Sequence, residues 1–312
     1  KFGLVTNDGL IDWPIPERDG FVEGEYNAPF NAIFYGAYLS MSKIAEATGH
    51  KADAEHYRSR ATRIKKEMIA RLYNPETGRF YDSLNADLTV NEHIAHHSTA
   101  YALCYGVYDD QKMADKMSKF VANDGHFVGS IYFIYFMLKG LIDSGHAADA
   151  VRLLTNPDDR KDQKTFAAIL NTLKATIAPE AWSNHYKPNM TMSHPWGATP
   201  GLTIVQGIMG INPTKPGFET FNIKIRPGNL HNLSVETPSS KGIIKAKLSV
   251  QDTKQVMTVE IPMNSKGTII LPENSQLIEV EDRHGSDLGG MPTDTNQVVL
   301  GSGQYQISYS IN

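Results

Sequence analysis

Residues 1–215 are predicted to fold as a layered helical domain and residues 216–312 as an antiparallel β-sandwich, a multidomain α and β architecture. Three observations predict it. From about residue 27 to 211 apolar residues recur with a period near 3.6. Within that stretch, segments apolar all round stand beside two-faced ones, which calls for an inner and an outer layer. After Pro213-Thr214-Lys215-Pro216-Gly217 the period drops to two, with short apolar runs about ten residues apart.

The elements follow in order. Phe30, Ile33, Phe34, Ala37, Leu39, Met41, Ile44 and Ala45 make a largely apolar helix that Gly49 ends as a C-cap. Asp53 to Tyr73 carries an apolar stripe of Ala54, Tyr57, Ala61, Ile64, Met68 and Leu72, with Arg58, Arg60, Lys65, Lys66 and Glu67 largely off it. Asn74-Pro75-Glu76-Thr77-Gly78 stops that helix with turn chemistry. Further helices are expected over His96–Tyr108, Asp110–Asn123, Ser130–Ser144, Ala147–Leu154, Thr165–Leu173 and Pro200–Met209. An α/α toroid satisfies this layering, and so does a compact helical bundle. In the second part Ile244, Ala246, Leu248 and Val250 alternate with Ile243, Lys245, Lys247 and Ser249. Strands are also expected at Val256–Ile261, Thr268–Leu271, Leu277–Val280, Gln297–Leu300 and Tyr305–Ile311.

Composition excludes several function classes. The 30 basic residues do not gather into one tract and the net charge is −4, so the counterion-displacing face of a nucleic-acid binder is missing. No run approaches the roughly 20 apolar residues of a membrane-spanning helix. A single cysteine, Cys104, excludes an internal disulfide and a cysteine-held metal. Gly129-Ser130 and the early glycines match no phosphate-binding template. The chain opens on Lys1 rather than Met, and a preceding segment is expected.

Chemistry concentrates in three loops, Gly9–Phe21, Ala175–Tyr186 and Met192–Ala198, which hold all three tryptophans, Trp13, Trp182 and Trp196. Each ring stands within one or two residues of a carboxylate or a histidine, the company that a sugar's apolar faces and hydroxyls require. Glu180 is the foremost catalytic candidate, since burial in its apolar segment raises its pKa unless a donor offsets the cost. Asp12, Glu17 and Asp19 are the other carboxylates in aromatic company, with Glu17 and Asp19 expected in solvent and an Arg18–Asp19 pair available. His93, His96 and His97 are read as a polar cluster at a helix start, with sugar contact by His97 a lesser option. No third ligand completes a metal site, so neither metal nor cofactor is expected.

These pieces, Ala175–Trp182, His194–Ala198, Met209–Phe218 and the strands beyond, together resemble the C-terminal part of glycoside hydrolase family 78 α-L-rhamnosidases. Ile11-Asp12-Trp13-Pro14 and the helix after Asn27 extend the resemblance along nearly the whole chain. It implies an (α/α)6 barrel, incomplete here with its first helices missing, and inverting release of terminal α-L-rhamnose from glycosides or polysaccharides. It also implies Glu180 as general base, His194 and Trp13 as sugar contacts, and Trp182 as the tryptophan two residues after the base. Asp12 accompanies Trp13, and Trp196 and His97 complete the expected binding set. The family's Arg-Asp-Glu-Arg acid motif does not occur, so the missing N-terminal part is expected to supply the acid and the 312 residues alone to be inactive. A rhamnose-containing partner and a periplasmic or extracellular bacterial location are further implications. Another toroid glycosidase, an α-L-fucosidase or trehalase-like enzyme, and an inactive carbohydrate-binding protein are the alternatives.

Overall fold

A computed structural model describes residues 3–6, 9–251, 254–286 and 296–311. The chain forms two compact units, Lys1–Pro200 and Gly201–Asn312, so the segment 201–215 groups with the second.

Among the described residues six helices of eight residues or more build the first unit: α1 (Ala28–Ala47), α2 (Lys51–Leu72), α3 (His96–Tyr105), α4 (Gln111–Val121), α5 (Ile134–Asp143) and α6 (Ala147–Leu154). They pair as three hairpins, with α1, α3 and α5 side by side and α2, α4 and α6 packed mainly on their own partners. The two-layer arrangement follows from side-chain character. Helix α3 buries eight of its ten residues, from His97 to Cys104, whereas α2 buries only the stripe Ala54, Ala61, Ile64, Met68 and Leu72. Glycines let the inner helices approach. A Cβ on Gly36 would fall 2.2 Å from the Tyr105 ring, and one on Gly140 would fall 3.1 Å from the Cys104 amide. Local signals set the ends: Asp110 caps α4 by accepting the Met113 amide at 2.7 Å, and Gly49 closes α1 at φ +83°.

Two expected helices take another form. Ala168–Thr172 and Thr203–Ile208 are π-helical turns, the latter preceded by a short α-turn at Thr199–Leu202. Their apolar stripes lack a partner layer: Leu170, Leu202 and Ile204 stand 64%, 44% and 42% exposed. A ladder of two-residue strands, Tyr26–Asn27, Ser83–Leu84 and Val90–Asn91, ties the loop before α1 to the loop before α3.

The second unit carries two sheets. The five-stranded sheet runs Ser275–Asp282, Gly303–Ile311, Lys254–Ile261, Gly242–Gln251, Asn232–Ser239, all antiparallel. The four-stranded sheet runs Gln297–Leu300, Lys266–Ile270, Thr220–Ile223, Asn212–Pro213, and its middle pair is parallel. Ile244, Ala246, Leu248, Met257, Val259 and Ile261 fill the core at 2% exposure or less. Strands Thr220–Ile223 and Asn232–Ser239 were not anticipated. Pro238 interrupts the apolar alternation of the second, and the sheet tolerates it because that strand is an edge.

Candidate active site

The start of α3 organises the loops around it. Its N-cap, Ala95, has no side chain able to cap, so three distant carboxylates satisfy the exposed amides and the histidines beside them. Asp82, fully buried, accepts the Ala95 amide at 2.7 Å, the Ser98 hydroxyl at 2.8 Å and the Val22 amide at 2.9 Å, and binds His93 Nδ1 at 2.6 Å. Asp19 accepts the His96 amide at 2.8 Å and binds its Nδ1 at 2.9 Å. Burial pushes the Asp19 carboxyl up, but the two bonds from His96 more than offset it and leave the group below its ordinary value. His97 Nε2 binds Asp12 Oδ2 at 2.8 Å. Each histidine of the cluster therefore has its own carboxylate. Among the described residues no group of three or more His, Cys, Asp or Glu side chains is placed to hold a metal.

Asp12 is the centre of a buried network. Besides His97 it accepts the Trp13 amide at 2.8 Å, the Ser130 amide at 2.9 Å and the Ser130 hydroxyl. Gly129 is required there: at φ +78°, any Cβ would meet Asp12 Oδ2 at 2.8 Å, His97 Nε2 at 3.0 Å and the Phe133 ring at 2.5 Å. The Gly129 carbonyl then accepts the Trp182 indole N–H at 2.9 Å, and that ring stacks on Phe127 at 5.5 Å. Asp12, His97 and Trp182 are 2%, 0% and 1% exposed. All three are expected sugar contacts, and in this structure their surfaces are taken up by packing and internal hydrogen bonds. What the network displays is Trp13, 42% exposed, with Leu10 and Ile15 at 57% and 65% on the same loop.

Glu180 occupies a second cluster, joined to the first through Trp182 two residues on. Its side chain is 11% exposed. Its own amide donates to the Thr191 carbonyl at 3.0 Å, and its carbonyl accepts the Trp196 indole N–H at 2.8 Å. Oε2 accepts the Thr191 amide at 2.8 Å, while Oε1 lies 3.3 Å from Lys187 Nζ and 4.0 Å from His194 Nδ1. Burial pushes this carboxyl up; the Thr191 amide, Lys187 and the Thr191 hydroxyl outweigh it, so the group sits below its ordinary value and is ionised at neutral pH. His194 and Trp196 pack together at 4.5 Å, and Tyr132, 41% exposed, lies 5.5 Å from Trp196. Gly197 makes the arrangement possible, since a Cβ there would come 2.4 Å from the Pro179 carbonyl oxygen. The structure brings together Glu180, His194 and Trp196, and places Trp13 at the other end of the Asp12–Ser130–Gly129–Trp182 chain.

Two expectations for the first loop are corrected. Glu17 is not solvated: it is 1% exposed, ion-paired with Lys164, and its Oε1 has no hydrogen-bond partner among the described residues. Burial raises its pKa, with Lys164 opposing the shift. Arg18 pairs with Glu23 at 3.2 Å rather than with Asp19. The reason is the Ile15–Glu17 turn, which directs Glu17 inward, while Arg18 Nε donates to the Asp12 carbonyl at 3.0 Å. Sequence reasoning also missed Lys187, Thr191, Asp82 and Ser130. Of these only Ser130 carries a signal in the sequence, its place after Gly129 at the start of an apolar segment.

Against known proteins, residues 4–206 match the bacterial alpha-L-rhamnosidase 6 hairpin glycosidase domain and residues 210–286 the bacterial alpha-L-rhamnosidase C-terminal domain. The chain belongs to the bacterial alpha-L-rhamnosidase family: its helical unit, with three hairpins, matches that family's six-hairpin glycosidase domain and is followed by the β-rich C-terminal domain. An alpha-L-rhamnosidase of Formosa agariphila is 23% identical over 98% of this chain and 33% of its own length, so the chain spans about a third of that relative. In fold it is similar to the Streptomyces avermitilis alpha-L-rhamnosidase solved with L-rhamnose, with TM-score 0.70 and 19% identity over 99% of this chain and 29% of that one. The Bacillus sp. GL1 family rhamnosidase is similar at TM-score 0.70 and 21% identity, covering 87% and 28%.

Proposed function

We propose that this chain is part of an inverting glycosidase that releases terminal α-L-rhamnose from glycosides or polysaccharides, with Glu180 as the general base. One observation carries the reading: Glu180 is a sheltered, ionised carboxylate beside an imidazole and an indole. A base must be deprotonated before it takes a proton from water, and the bonds from Thr191 and Lys187 keep Glu180 so. Oε2 is occupied by Thr191 and Oε1 lies 3.3 Å from Lys187 Nζ; Oε1, on the His194 side, is the atom assigned to receive the proton. His194 and Trp196 then bound the sugar beside the base, and Trp13 offers an exposed ring for its apolar face. In inversion a carboxylic acid about 6.5–9.5 Å from the base protonates the leaving oxygen. We assign that acid to the protein outside residues 1–312 and expect these residues alone to be inactive. Polymeric rhamnosides lie outside the cytoplasm, so a periplasmic or extracellular location accompanies this reading.

The test is Glu180→Gln in the whole protein, assayed on an aryl α-L-rhamnoside. Turnover is expected to fall about 10²–10⁴-fold with rhamnose binding retained. Unchanged turnover removes Glu180 from the chemistry. Hydrolysis of the corresponding aryl fucoside or glucoside, with the rhamnoside left intact, points to another toroid glycosidase. Rhamnose binding without any hydrolysis by the unaltered protein leaves a binding protein.

A further inference from the structure

Beside the start of α3 lies a cavity of about 430 Å³ whose walls include Arg79, His96, Lys116, Lys119, Phe120 and Asp124. Three permanent cations thus face one carboxylate. Arg79 stands at the end of a rigid turn: Asn74 Oδ1 accepts the Glu76 and Thr77 amides at 2.9 and 3.2 Å, and Gly78 passes so close to α4 that a Cβ would meet Lys116 Cβ at 2.6 Å. Lys116 Nζ donates to the Pro75 carbonyl at 2.8 Å, joining the same turn to α4. The Arg79 guanidinium lies 4.2 Å over the Phe120 ring, which also stacks on His96 at 4.1 Å. Arg79 and Lys116 are therefore held in place, and Lys119 is an exposed lysine on the same wall.

Their charges are unanswered. Among the described residues no carboxylate pairs with Arg79 or Lys119, and both Arg79 Nε and His96 Nε2 are buried without a hydrogen-bond partner. A guanidinium fixed against a ring, with donors unused, fits the paired oxygens of a carboxylate or sulfate. The cavity is of the size that holds a small organic ligand. It is also linked to the loop that carries Trp13. His96 and His97 are neighbours on α3, His96 is bound to Asp19, and Asp19 belongs to the same loop as Trp13.

We propose that this cavity is a subsite for an acidic sugar, whose carboxylate or sulfate is taken by Arg79 and Lys119 with Lys116 beside them. The choice of a sugar as carrier rests on the glycosidase reading above; the affinity for an oxyanion does not.

Calorimetric titration of the chain with glucuronate, glucose and inorganic sulfate at low salt tests both parts. Glucuronate is expected to bind and glucose not. Arg79→Gln should weaken glucuronate roughly tenfold, the loss expected for a charge-assisted pair, and Lys119→Gln should weaken it less. Lys66→Gln, an exposed lysine on α2, should leave it unchanged. If Arg79→Gln unfolds the chain, Lys119→Gln and the weakening of glucuronate binding with added salt decide the matter. Equal binding of glucose and glucuronate, or glucuronate binding indifferent to the Arg79 and Lys119 changes, overturns the site. Sulfate binding without glucuronate binding overturns the sugar as carrier. None of these readouts involves hydrolysis, so they can fail while the rhamnoside assay succeeds, and the reverse.

Discussion

Asp12→Ala separates a scaffold from a sugar contact. In the structure the Asp12 carboxylate accepts from the Trp13 amide, the Ser130 amide, the Ser130 hydroxyl and His97 Nε2. Removing it leaves the Ser130 amide and the His97 ring N–H in a site that water does not reach, since Ser130 and His97 are 2% and 0% exposed. Each orphaned buried donor costs about 1–3 kcal/mol, and more when its lost partner was charged. The Ser130 hydroxyl can turn elsewhere and the Trp13 amide lies nearer solvent, so the total is about 3–5 kcal/mol, the range for breaking a buried pair. That is a large share of a domain's stability. Asp12→Asn keeps one acceptor oxygen but turns an NH₂ toward two donors, so about 1–3 kcal/mol is expected. The assay is urea unfolding followed by tryptophan fluorescence, which reports the helical unit alone because Trp13, Trp182 and Trp196 all lie in it. With a slope of about 2 kcal/mol per molar, the midpoint should fall by about 2 M for Asp12→Ala. A shift below about 0.5 M, together with a collapse of rhamnoside affinity in the whole protein, would falsify the scaffold assignment and return Asp12 to the sugar.

Other outcomes follow from the same contacts. Gly197→Ala would place a Cβ 2.4 Å from the Pro179 carbonyl oxygen; it should cost about 1–3 kcal/mol by the same unfolding assay and lower rhamnoside turnover by moving His194 and Trp196 off Glu180. Lys164→Met strands the buried Glu17 charge and should cost about 3–5 kcal/mol at pH 7. Because burial raises the Glu17 pKa, the lost stability should return as pH falls and Glu17 takes up a proton, and Glu17→Gln in the same chain should restore it at pH 7. Asp19 and Glu180 run the other way, since both lie below their ordinary values of 3.8 and 4.5. The stability they add is fully present above those values and is lost as pH falls through the lower folded ones. Denaturation midpoints from pH 6 to about pH 2.5 should therefore decline less steeply in Asp19→Asn than in the unaltered chain.

What the amino-acid order determined by itself was whatever depends on near neighbours. The stripe of Ala54, Ala61, Ile64, Met68 and Leu72 is a single-helix property, and it became the buried face of α2. Alternation from Ile243 to Ser249 depends only on the pleat, and Ile244, Ala246 and Leu248 went inward. The company of Glu180, His194 and Trp196 was legible because the short segment between them folds back on itself, the Glu180 amide meeting the Thr191 carbonyl. The tertiary structure alone decided the rest. Asp12 meets Ser130 across 118 residues, Glu17 meets Lys164 across 147, and Asp82 meets the start of α3 from the bend before the Ser83–Leu84 strand. No periodicity records such pairings, because they arise when loops converge on a helix end that cannot cap itself. For the same reason a lone aspartate, histidine or tryptophan reads alike whether it faces a ligand or the core. Only the tertiary structure shows that Asp12, His97 and Trp182 are buried.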